Sequence, residues 1–285
     1  MAPLGDKKIV IIGAAGMVGH TMLEFFSEIK KEALGVTRSS FDILRQPFER
    51  LEPYLEGAAV VVNCAAIIQP RLKEFDCLDV ITVNSVFPHN LLRFCCARDI
   101  PLIHISTDGV FSGRRGNYSE LDAVDCTDMY GLSKAAGEPA LAMVLRATIV
   151  GEEDNSSRSL LAWVKSKAGA ELSGYINCFW NGITTLKLAQ IIDDILARKL
   201  YQPGVYHLYS PRSLSKHELI LLINEVYDLG IEVIPVASDQ PANRTLTSIR
   251  GLVQKLGIEP IEEQLGELRE FHQRPRALRP AKRND

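Results

Sequence analysis

A short apolar run that empties directly into glycines constrains this chain most. Lys8-Ile9-Val10-Ile11-Ile12 is nearly all β-branched and has no polar alternation, the pattern of a parallel strand buried on both faces. It leads into Gly13-Ala14-Ala15-Gly16-Met17-Val18-Gly19, after which Met22, Leu23, Phe25, Phe26 and Ile29 recur at helical spacing. Strand, glycine turn and helix in that order form a phosphate-binding unit. Gly13 permits the tight turn, Gly16 lets a pyrophosphate approach the backbone, and Gly19 lets the helix lie close to the strand, with its positive end on the phosphates. The spacing is GxxGxxG rather than GxGxxG. A glycine-rich turn without a ligand is the plain alternative, and the flanking strand and helix weigh against it.

The next strand, Ala33-Leu34-Gly35-Val36-Thr37, ends without the carboxylate that holds a ribose 2′-hydroxyl in an NAD site. It is followed by Arg38, Ser39 and Ser40, a guanidinium and hydroxyls suited to a 2′-phosphate. NADP(H) is therefore favoured over NAD(H), and Asp42 falls where it could reach the adenine. Val60 to Ala66, Pro101 to Ser106, Val144 to Val150 and Gly204 to Leu208 read as further strands. Helices are expected from Thr82 to Arg98, from Tyr130 to about Met143, from Ser159 to about Lys167, from Thr185 to Leu200, and from a capping box at Ser215 and Glu218. The stretch before Trp180-Asn181-Gly182 reads as irregular. The expected fold is α/β: a Rossmann doubly wound parallel sheet over residues 1–150, rejoined by 181–210. A smaller, mixed C-terminal lobe would be built from 151–180 and 211–285.

Tyr130 and Lys134 stand one helical turn apart, so both side chains share a face. His104-Ile105-Ser106-Thr107 brings a hydroxyl to a strand end. Such a group can move a proton on a carbonyl–alcohol pair. The net charge of −3 over 285 residues gives no general pull toward nucleic acid or an anionic membrane. No segment approaches the ~20 apolar residues that span a bilayer. The six cysteines form no CxxC pair and no histidine stands at zinc-ligand spacing, so no metal is expected and free thiols in a reducing cytoplasm are. Arg274, Arg276, Arg279, Lys282 and Arg283 read as a solvated, frayed end.

These motifs resemble the extended short-chain dehydrogenase/reductases, and within them the dTDP-4-dehydrorhamnose reductases. The likeness is carried by the glycine turn at 13–19, Arg38 with Asp42-Ile43, Asn63-Cys64-Ala65-Ala66, and Val83-Asn84. It continues in His104 to Asp108, Val110-Phe111-Ser112-Gly113, Glu120, Tyr130-Gly131-Leu132-Ser133-Lys134 and Gly137-Glu138. Beyond residue 150 it is looser: Thr184, Leu188-Ala189, Gly204 to Leu208 and Asn243-Arg244-Thr245-Leu246.

The resemblance implies a keto-deoxysugar nucleotide as substrate, reduced by hydride from NAD(P)H with Tyr130 as proton donor. Thr107 would hold the carbonyl oxygen. Lys134 would lower the Tyr130 pKa and hold the nicotinamide ribose. The implied cofactor residues are Gly13, Gly16, Met17, Val18, Gly19, Arg38, Asp42, Ile43, Cys64, Ala65, Ala66, Tyr130 and Lys134. Thr107, Asp108, Val110, Tyr130 and Arg244 would meet the substrate. The chain departs from the family at Gly109, where a tyrosine is usual, at Ile149 in place of a tryptophan, and at Thr245 in place of a proline. The first two remove aromatic surface where the sugar would lie. A nucleotide-sugar epimerase with bound NAD and a non-catalytic dinucleotide-binding regulatory subunit are the competing readings. A dehydratase is disfavoured because Gly109 stands where a second carboxylate would be needed. The sequence leaves room for a homodimer.

Overall fold

A computed structural model describes residues 8–153 and 159–274. Arg276, Arg279, Lys282, Arg283 and part of the polar loop after Gly151 lie outside these. Arg274, at the edge of the described chain, is not a free cation but pairs with Glu28.

Strand β1 (Lys8–Ile12) runs into helix α1 (Met17–Glu28) and then β2 (Ala33–Val36). β3 (Ala58–Asn63) leads through a winding connection to helix α2 (Phe87–Cys96) and β4 (Leu102–Ser106). Helix α3 (Met129–Ala136) precedes β5 (Met143–Arg146), and after a long excursion α4 (Thr185–Ala197) returns the chain to β6 (Gly204–His207). These strands form one wholly parallel sheet in the order β6-β5-β4-β3-β1-β2. The order reverses between β1 and β3, the switch point at which sheets of this type bind ligands.

Side chains alternate across the sheet and fill two cores. Ile9, Ile11, Val60, Val62, Ile103 and Ile105 face α1 and α4, packing on Met22, Phe26, Leu188 and Ile192. Val10, Ile12, Val61, Leu102 and Val144 face the other way, onto Phe87, Leu91 and Phe94 of α2. Both faces are covered, so the strands carry no polar alternation.

A third core belongs to the smaller lobe, where helices α5 (Lys216–Tyr227) and α6 (Ile261–Gln273) pack Leu219, Ile223, Leu265 and Leu268 against Leu161, Trp180 and Leu214. The capping box is formed as expected: the Ser215 hydroxyl accepts from Glu218 N–H and the Glu218 carboxylate accepts from Ser215 N–H.

Several boundaries differ from the sequence reading. The helix from Tyr130 stops at Ala136, because Gly137 ends it and Pro139 follows. Arg146 ends β5, and Ile149–Val150 leave the sheet to pair with Ile183–Thr184. The stretch expected to be irregular holds two strands. Glu171–Tyr175 pairs in parallel with Glu232–Val236, and Cys178–Trp180 lies between Leu214–Ser215 and Ala242–Asn243. The helix expected from Thr82 begins with a π turn, Thr82–Val86, following a short helix, Cys77–Ile81. Among the described residues, no helix is long and apolar enough to cross a membrane.

Candidate active site

The glycine turn takes the shape its sequence demands. Gly13 has φ +82°, where a side chain is strained, and its N–H donates to Val36 O at 2.9 Å. A Cβ on Gly13 would lie 2.7 Å from Ala65 N, and one on Gly19 would lie 2.5 Å from Gly13 O. α1 starts at Gly16 with no side-chain cap, which leaves first-turn N–H groups for a ligand. A cleft of about 260 Å³ opens beside the turn, lined by Gly13, Gly16, Arg38, Asp42, Ile43, Cys64, Ala65 and Ala66. Met17, Val18 and Gly19 form the first turn of α1 next to it. Burial pushes the Cys64 thiol up to about 12, so it stays protonated and inert.

At the far end of the cleft, Arg38 donates from Nε to Asp42 Oδ2 at 3.1 Å, and Asp42 Oδ1 accepts from Leu44 N–H at 2.9 Å. The Asp42 carboxylate is thus engaged locally, with the arginine and the loop backbone. Two cleft residues escaped the sequence reading. Phe75 has the Arg38 guanidinium 5.7 Å and the Arg71 guanidinium 5.1 Å from its ring centre. Neither lies in a recognisable motif.

Asp128 caps α3 by accepting from Gly131 N–H at 2.9 Å. This fixes the start of the helix that carries Tyr130 and Lys134. Lys134 is 2 % exposed and donates from Nζ to Ile105 O at 2.8 Å. Thr107, just past β4, accepts from Gly109 N–H at 3.0 Å and donates to Asp108 Oδ1 at 3.2 Å. Its hydroxyl also acts on the Tyr130 phenol, favouring the phenolate. The fold therefore gathers Thr107, Tyr130 and Lys134 at the carboxyl end of β4, as the sequence suggested. Gly109 sits between them: a Cβ there would be 3.3 Å from both Thr107 Oγ1 and Tyr130 Cε1.

The electrostatics differ from expectation. Burial holds the Tyr130 phenol up at about 12; the Thr107 hydroxyl opposes this, while Asp108 and Asp128 add to it. Lys134 does not bring it down, because its amine is turned to the Ile105 carbonyl and burial has lowered its own pKa to about 8. Val110 also departs from its expected place beside the substrate. It is fully buried, packed among Phe111, Tyr118 and Leu246. Arg244 is half-buried and donates from Nε to Phe111 O at 2.9 Å, which holds it beside Gly113.

Three supporting contacts were invisible in sequence. Arg146 forms a buried two-pronged ion pair with Glu138, at 2.9 and 2.7 Å, and Ser106 donates to the same carboxylate at 2.6 Å. Asn63 Nδ2 lies 3.1 Å from His104 Nδ1. Lys216 stands 5.6 Å over the Trp180 ring and pairs with no carboxylate among the described residues.

Fold and site together put the chain in one class, the NAD(P)-dependent oxidoreductases of the extended short-chain dehydrogenase/reductase type. Within it, the chain belongs to the RmlD substrate binding domain family, whose family model matches residues 7–250. It is similar to the dTDP-4-dehydrorhamnose reductase of Mycolicibacterium smegmatis, 36% identical over 137 residues that make up 47% of this chain and 41% of that one. It is also similar to methionine adenosyltransferase 2 subunit beta of Danio rerio, 27% identical over 83% of this chain and 79% of the relative. The dTDP-4-dehydrorhamnose reductase of Bacillus anthracis, solved in complex with NADP, shares the fold with a TM-score of 0.78. It is 20% identical, with 93% of this chain and 99% of that one aligned.

Proposed function

We propose that the protein reduces the keto group of a deoxysugar nucleotide at the expense of NADPH. The observation that carries this reading is the meeting of Thr107, Tyr130 and Lys134 at the carboxyl end of β4, where Lys134 comes near Cys64 of the cleft wall. The cleft fits a dinucleotide: backbone occupies the space that side chains at Gly13 and Gly19 would need, and α1 offers uncapped N–H groups. Gly13, Gly16, Met17, Val18 and Gly19 would hold its pyrophosphate, with Ile43, Cys64, Ala65 and Ala66 along its wall. Arg38, backed by Ser39 and Ser40, would take the 2′-phosphate. When bound, the dinucleotide supplies the hydride. Residues 1–150 with 181–210 would serve the dinucleotide, and 151–180 with 211–285 the sugar nucleotide.

Each side chain has a role that follows from its surroundings. Tyr130, with its pKa held high, is fully protonated at neutral pH and is ready to donate to an oxygen that gains negative charge. Thr107 would fix that oxygen by turning its O–H from Asp108 Oδ1 to the substrate, while Gly109 N–H still donates to the Thr107 oxygen. Lys134, one helical turn beyond Tyr130 on α3, would hold the nicotinamide ribose. Arg244, held through Nε on Phe111 O, would meet the diphosphate with the rest of its guanidinium.

The test is incubation with NADPH and a panel of 4-keto-6-deoxysugar nucleotides, following loss of nicotinamide absorbance and then the product by NMR. Consumption of both is expected. Product formation without net oxidation would instead indicate an epimerase. The match to methionine adenosyltransferase 2 subunit beta over most of the chain supports a second reading, a dinucleotide-binding regulatory subunit. Capture of a partner enzyme with no keto-sugar consumed would favour it.

A further inference from the structure

His104 has no role in the chemistry above, yet it is completely buried on β4 next to that chemistry. Its Nδ1 faces Asn63 Nδ2 at 3.1 Å and its Nε2 faces Lys134 Nζ at 3.5 Å. The Asn63 amide is not free to turn, because its Oδ1 accepts from Ala65 N–H at 3.1 Å. Nδ2 is therefore the group turned to the imidazole, and it donates to Nδ1. Burial, then Lys134 and His89, hold the imidazole pKa well below its usual value, so the ring is neutral. A neutral imidazole that accepts at Nδ1 carries its proton on Nε2. That N–H points at the Lys134 amine.

We propose that His104 is a positioning residue for Lys134: locked by Asn63 as the Nε2–H tautomer, it sets a donor against the lysine and favours release of the lysine's proton. Cys64 stands just past the end of β3 as a protonated thiol and brings no charge to the amine while it stays so. Glu138, beyond the end of α3, favours the ammonium, but its carboxylate is already held by Arg146 and Ser106. Tyr130 lies one turn back on α3, and His89 of α2 stands behind the imidazole with one ring nitrogen 2.9 Å from Ala136 O. The Ile105 carbonyl is the acceptor that keeps the amine in place. Asn63 thus joins the wall of the dinucleotide cleft, through Ala65, to the charge on the lysine.

The kinetic consequence rests on the reductase reading, and the primary tests do not. Nitrogen-15 NMR of the imidazole in the wild-type protein should show the Nε2–H form; the Nδ1–H form would overturn the proposal. Lys134, followed by NMR of labelled lysine, should titrate near 8. In His104→Gln, whose amide oxygen can accept from the amine, the midpoint should rise by about one pH unit. An unchanged or lower midpoint would overturn the proposal. Fluorescence titration with NADPH reports whether the variant is folded. If it is not, the wild-type tautomer alone decides. With a turned-over substrate, the alkaline limb of the kcat profile should move in the same direction. If no substrate is reduced, the reductase reading falls and the NMR result still stands.

Discussion

Asn84 donates from Nδ2 to Ser133 Oγ at 3.0 Å, joining the π turn Thr82–Val86 to the helix that carries Tyr130 and Lys134. The same side chain accepts from Ile67 N–H at 2.8 Å and donates to Ile67 O at 2.9 Å. One buried amide thus holds the far wall of the dinucleotide cleft and α3 in register. π turns of this kind are frequent at functional sites.

Asn84→Ala leaves the buried Ile67 N–H and C=O without partners. A loss of roughly 3 kcal/mol is expected. Urea unfolding should show it as a lower midpoint with an unchanged slope.

Tyr130→Phe keeps the ring packing and removes the proton donor. Single-turnover reduction should slow by about 10²–10⁴-fold. NADPH affinity, from fluorescence titration, should change little.

Lys134 should leave a signature in stability against pH. Burial lowers its pKa from 10.5 to about 8, so between these values the unfolded chain binds the proton more readily. Stability from this group therefore rises with pH across that window, and the full penalty applies below 8. Lys134→Met removes the penalty. Its unfolding free energy relative to wild type should decline by about 3 kcal/mol as pH rises from 8 to 10.5. Thermal or urea unfolding of both proteins at fixed salt checks this. Tyr130, raised from 10 to about 12, contributes nothing below pH 10.

Gly109→Tyr places a side chain whose first carbon already touches Thr107 and Tyr130. The ranking of keto-sugar nucleotides by kcat/KM should change by about tenfold or more. An unaltered ranking would separate Gly109 from substrate choice.

Arg38→Ala should weaken NADPH by about 10–100-fold and leave NADH almost unaffected, since only the former brings a 2′-phosphate to the guanidinium. Paired fluorescence titrations decide it.

The sheet was legible because its strands are buried on both faces and so read as unbroken apolar runs, and because Gly13 and Gly19 stand where no side chain fits. Tyr130 and Lys134 were legible as a helical pair, and Thr107 as a strand end. The strands that sequence missed have weak patterns. Glu171–Tyr175 carries one large apolar side chain facing inward, Leu172, and its partner lies some sixty residues on. The division of Val144 to Val150 between two sheets depends on Ile183–Thr184, which no local pattern announces. The early stop of α3 could have been found, since Gly137 and Pro139 both punctuate it. The bond between His104 and Asn63 could not, although both residues stand in the family motifs, because it is one contact across neighbouring strands. The lowering of Tyr130 by Lys134 failed on geometry: the amine answers to a carbonyl, not to the phenol.

β6 returns to the sheet beside β5 only after some sixty further residues, α4 among them, have been laid down. During synthesis, residue 207 leaves the ribosome about 3–12 s after residue 146. Over that interval β5 presents a bare row of N–H and C=O groups, an open edge of the kind that recruits other chains. The parallel pairing that closes it is non-local and slow to form. The nascent protein is therefore most exposed to misassembly while α4 and β6 are still to come, and the returning strand is what ends that exposure.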